Sequence, residues 1–73
     1  MKAPRVVVEI TLVTAHTALV RGPRVARTLD HLQLPKQYSH TERCWMTSRR
    51  AVDDLAAYLQ HRKRPYVVRE VLL

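Results

Sequence analysis

The chain has 73 residues, 47% hydrophobic and 26% charged, which provides for one small core and excludes a second. Its apolar content is that of a folded chain and argues against disorder. Thirteen Lys and Arg against six Asp and Glu leave a net charge of +7, a balance that selects anionic partners, phosphate-bearing polymers first.

In chain order, residues 5–13 are rich in β-branched types, with Val6, Val8, Ile10 and Leu12 on one face and Val7, Glu9, Thr11 and Val13 on the other. That alternation predicts a strand. Residues 14–22, "TAHTALVRG", fit either an extension of this strand or a loop. Gly22-Pro23 marks a helix start. Val25, Leu29 and Leu32 follow at i, i+4 and i+7 with Ala26 on the same face, while Arg24, Arg27, Asp30 and His31 project elsewhere. A helix is expected over residues 23–33, stopped by Pro35. Residues 36–40 read as a short edge strand. Residues 43–47, "RCWMT", read as an inner strand with Cys44 and Met46 toward the core and Arg43, Trp45 and Thr47 away from it. Ser48 suits an N-cap, and Val52, Leu55, Ala56 and Leu59 make an apolar stripe for a second helix. "HRKR" places cations on its last turn, where the helix dipole favours them, and Pro65 ends it before "YVVREVLL" returns as a strand.

The order β-α-β-β-α-β predicts a small single α+β domain over residues 1–73 of ferredoxin-like, split βαβ type, an antiparallel sheet with two helices on one face. Without a strand at 36–40 it reduces to a three-stranded variant.

Four constellations follow. With the strands that feed the two helices taken to run the same way, both helices begin at one end of the domain. Arg21 and Arg24 would then meet Arg49 and Arg50, forming an anion site. The competing account pairs Arg49 with Asp53 and Arg50 with Asp54 at i, i+4 on a solvated surface. Arg62, Lys63 and Arg64 form a second basic patch, expected at the opposite pole. On the sheet face without helices, Val7, Val13, Arg43 and Trp45 make an interaction face for a partner chain or for bases stacked on Trp45. His40 and Cys44 are four apart, but a closed zinc site needs four ligands, so no metal or cofactor is expected.

No G-x-S-x-G turn or glycine-rich phosphate loop occurs, and Gly22 is the only glycine, so catalysis is not expected. A single cysteine gives no internal disulfide, and the N-terminus lacks a signal-peptide layout. The apolar-rich run at 6–13 is far short of the ~20 residues that cross a membrane. The expectation is a cytoplasmic, phage-like accessory module that binds nucleic acid through arginine–phosphate contacts. The alternative is a protein-interaction module that docks on an acidic protein or forms a homodimer through the open sheet face.

Overall fold

A computed structural model of the chain describes residues 7–71. The outer ends of the first and last predicted strands, residues 5–6 and 72–73, lie outside that range.

The alternating run forms β1 (Val8–Leu12), with Val8 and Ile10 buried and Glu9 and Thr11 half-exposed on the opposite face. The chain then reverses. Thr14 Oγ1 accepts the backbone N–H groups of His16 at 3.1 Å and Thr17 at 3.0 Å, a side-chain turn that needs neither Gly nor Asn. Residues left open by the sequence form β2 (Thr17–Arg21), antiparallel to β1. Gly22 follows at φ 145°, a conformation that L side chains rarely adopt, and a Cβ there would lie 3.0 Å from Val8 Cα. Only glycine lets the chain leave β2 so close to β1.

The first helix, α1 (Val25–His31), is shorter than expected because Arg24 takes a left-handed conformation (φ 61°). Leu34 N–H donates to Leu29 O at 2.9 Å and Gln33 N–H to Asp30 O at 3.0 Å, a Schellman ending with Gln33 at φ 57°. A short strand β3 (Gln37–Ser39) and its antiparallel neighbour β4 (Cys44–Ser48) come next. A 3-10 turn (Arg49–Ala51) leads into α2 (Val52–His61). Ser48 occupies the position before that turn, but its hydroxyl caps no backbone N–H. The second helix also ends in a Schellman motif, Arg64 N–H to Leu59 O at 2.9 Å and Lys63 N–H to Gln60 O at 3.0 Å. β5 (Tyr66–Glu70) is the last element among the described residues.

The described residues form a small α+β domain with a five-stranded sheet, order β3-β4-β2-β1-β5, and two α-helices. Val8, Ile10, Ala18 and Val20 from the sheet pack with Val25 and Leu29 of α1 and Val52, Leu55 and Leu59 of α2 in one core. Both helices therefore cover the same face. The sheet is mixed where an antiparallel one was expected, because β1 pairs with β5 in parallel.

Two further expectations are corrected. The strand that feeds α1 is β2, and its neighbour β4, which feeds α2, runs antiparallel to it. The helices accordingly start at opposite ends of the sheet. Thr17 pairs with Ser48 at one end of β2, whereas Gly22 follows the other end, so residues 22 and 48 stand about 16 Å apart along the strand direction at ~3.3 Å per residue. The facing of β4 is also inverted. Val20, which is fully buried, pairs with Trp45, and Ala18 pairs with Thr47, so Trp45 and Thr47 lie on the helix side. Residues directly opposite in a ladder share a face, and a shift of one residue flips every side chain.

Candidate functional site

The antiparallel run of β2 and β4 brings the start of α1 beside the end of α2. Arg64, set by the Schellman turn of α2, reaches across. Its guanidinium donates to Pro23 O at 2.8 Å and to Thr28 Oγ1 at 3.2 Å. Thr28 Oγ1 in turn donates to Arg24 O at 2.9 Å. This chain of bonds ties the last turn of one helix to the first turn of the other.

Between them runs an open groove of about 680 Å³, with Arg24 and Arg27 on one wall and Arg62 and Arg64 on the other. Thr28, Asp30, His31 and Tyr58 complete it, with the His31 and Tyr58 rings 5.5 Å apart. The carboxylate of Asp30 is held by Lys36 Nζ at 2.7 Å. Among the described residues no carboxylate lies within 4.0 Å of any of the four groove arginines. Arg62 and Arg64 sit where the α2 dipole presents its negative pole, an interaction of ~0.3–1 kcal/mol for a surface cation. That interaction favours Arg62 and Arg64 alone, since Arg24 and Arg27 stand at the positive pole of α1, where no acidic residue occupies the first turn.

The four arginines expected to converge do not. Arg21 turns to Glu42, donating to its backbone O at 2.8 Å with the carboxylate at 3.6 Å. Arg24 alone of that set lines the groove. Arg49 and Arg50 belong to the far end, beside Leu12, Ala15, Val52 and Asp53. Neither forms the i, i+4 ion pair considered for it. Arg49 binds Glu70 at 3.0 Å and Thr14 O at 3.2 Å, and Asp53 and Asp54 occupy the first turn of α2, where acids offset the dipole. The basic patch at 62–64, placed at the opposite pole from Arg24 by the sequence, stands next to it.

On the interaction face, Val7 and Val13 are half-buried beside β1, and Arg43 is exposed in the turn before β4 at φ 55°. Trp45 does not join them. It packs against the core on the helix side, edge-on to Tyr38 at 5.2 Å with Lys36 Nζ 5.2 Å above its ring. Cys44 is buried and free, while His40 is exposed beside Tyr38. Among the described residues no group of three or more His, Cys, Asp or Glu could hold a metal, and no helix is long and apolar enough to cross a membrane.

Arg27 lines the groove without being among the expected site residues, although the sequence carries a signal for it. Arg24, Arg27 and His31 recur at i, i+3 and i+7, and Tyr58 and Arg62 at i, i+4, each set a single helix face. No protein-family model, curated protein or solved structure matches the chain.

Proposed function

We propose that the chain is a small non-enzymatic module that binds nucleic acid by its phosphate backbone. The contacts come from Arg24, Arg27, Arg62 and Arg64, with Lys63 beside them. The observation that carries this reading is the convergence of four guanidinium groups on one groove in which, among the described residues, the one lining carboxylate, Asp30, is already engaged by Lys36. Arginine forks suit phosphate oxygens in pairs. Among the described residues the rings that line the groove, His31 and Tyr58, leave little surface for stacking, so base readout is slight and binding is sequence-independent.

Arg24 supports the reading from a second direction. A non-glycine residue at φ 61° is held in a conformation that costs an L-residue roughly 1–2 kcal/mol, and here that strain orients a groove arginine. We also read β2-α1-β3-β4-α2-β5 as a ferredoxin-like split βαβ unit, with β1 inserted between β2 and β5. In such a unit the two crossovers interleave, which is why the end of one helix meets the start of the other.

Fluorescence anisotropy with labelled random-sequence DNA and RNA, and with an acidic peptide of matched charge, tests the proposal. The expected result is low-salt binding to the polynucleotides that is lost in the Arg27→Glu/Arg62→Glu variant. Absence of polynucleotide binding at low salt, or binding confined to the acidic peptide, would overturn it.

A further inference from the structure

The sheet has two edges, and they differ. β3 is three residues long, Gln37–Ser39, and preceded by Pro35 and Lys36, the usual guards of an edge. β5 is five residues long, Tyr66–Glu70; Pro65 precedes it, and its two charged residues, Arg69 and Glu70, are of opposite sign. Of the large hydrophobic side chains that stand exposed, Val67 (38%) and Val68 (46%) are on β5 and Val71 (42%) directly follows it. Among the described residues, nothing pairs with its outer side.

The ladder fixes which backbone groups face outward. Val8 N–H donates to Pro65 O and Val71 N–H to Leu12 O, so in this parallel pair the odd-numbered residues of β5 turn toward β1. The N–H and C=O groups of Tyr66, Val68 and Glu70 point away from the sheet. Pro65 turns its polar group inward and leaves the outer row uninterrupted.

We infer that this edge pairs antiparallel with β5 of a second copy of the chain, about a two-fold axis through Val68 and perpendicular to the sheet. The occupant follows from self-complementarity. In that register Val68 lies opposite Val68 of the second copy, Val67 opposite Arg69, and Tyr66 opposite Glu70. No like charges meet, apolar side chains meet at the axis, and each outward residue donates one backbone bond and accepts one. Sliding the pair by two residues shortens the ladder from all five strand residues to three: one direction sets Arg69 against Arg69, a like-charge contact, and the other sets Val67 against Val67 but leaves Arg69 and Glu70 outside the paired strands. The interface is isologous and closes at two copies. Because the axis is perpendicular to the sheet, both helix layers lie on the same side of the joined sheet, and both arginine grooves open on that side.

Light scattering on the full chain, free of nucleic acid and across a range of salt, tests this inference independently of nucleic-acid binding. The expected result is a species of twice the 8.5 kDa chain mass that is favoured by salt, which screens the repulsion between two chains of charge +7. Val68→Lys and Val68→Glu should each weaken the dimer about fivefold or more, the factor for exchanging a favourable cross-strand pair for a like-charge one. Both should keep the far-ultraviolet circular dichroism of the parent, since Val68 is an exposed edge residue. Mixing the two variants should restore the dimer, because only this register sets residue 68 against itself. A monomer at every salt and concentration, open-ended assembly, or a dimer that neither variant weakens would overturn the inference, as would a failure of the mixed pair to recover.

Discussion

Replacing Arg64 by Ala removes the strap between the helices. The guanidinium donates to Pro23 O at 2.8 Å and Thr28 Oγ1 at 3.2 Å, and its stem forms part of the wall over Val8, Val20, Leu55 and Leu59. Hydrogen bonds from a charged donor contribute roughly 1.5–3 kcal/mol when shielded and less when solvent competes. One of these two bonds is exposed and the other part-buried, so the pair is worth about 1–2 kcal/mol in sum. For a domain of this size each kcal/mol moves the melting temperature by ~4–8 °C, giving a fall of roughly 5–15 °C. Arg64→Lys, with a point charge in place of a fork, reaches one acceptor at a time and should recover about half. A double-mutant cycle of Arg64→Ala with Thr28→Val, followed by thermal and urea unfolding, isolates the contact between the two side chains. Its coupling should be about 0.5–1 kcal/mol. A coupling of zero, or an Arg64→Ala protein as stable as the parent, would refute the strap and with it the reason the groove walls hold their spacing.

Other substitutions probe the rest of the fold. Gly22→Ala should destabilise by at least ~2 kcal/mol in urea unfolding, since the residue sits at φ 145° and the new methyl would press on Val8. Gln33→Gly should stabilise by about 1 kcal/mol, because Gln33 holds the left-handed position of a Schellman motif that glycine fills without strain. Thr47→Val should be neutral or stabilising by up to ~1 kcal/mol, as the Thr47 hydroxyl is buried without a partner. Leu55→Ala, at a fully buried core position, should cost roughly 2–5 kcal/mol, a large share of the stability of so small a domain, and is expected to show as loss of cooperative melting.

The parts of this structure that the sequence makes legible are those where periodicity has one answer. Val8, Ile10 and Leu12 alternate cleanly in β1, and Val52, Leu55 and Leu59 mark the buried side of α2. Hairpin β1-β2 is hidden in the sequence because its turn rests on the Thr14 hydroxyl and not on a glycine or asparagine, and without that hairpin α1 would follow β1 and not β2. Once β2 feeds α1, the antiparallel β2-β4 pair sends the two helix starts apart and brings Arg62 and Arg64 to Arg24. Strand β4 was ambiguous for a different reason. Cys44, Trp45 and Met46 are apolar in succession, so alternation assigns no face, and the pairing of Trp45 with Val20 decides it. The free edge of β5 could not be read at all, since strand order depends on pairings far apart in the chain.

The groove itself is tested most directly by the salt dependence of duplex DNA binding. Four phosphate contacts give a slope of log affinity against log salt near −3.6, which is a loss of about 150-fold between 50 and 200 mM salt. Arg27→Gln should flatten the slope to about −2.7, while Arg50→Gln, at the other end of the sheet, should leave it unchanged. A parent slope near zero, or a slope flattened by Arg50→Gln and untouched by Arg27→Gln, would contradict the placement of the binding surface between the end of α2 and the start of α1.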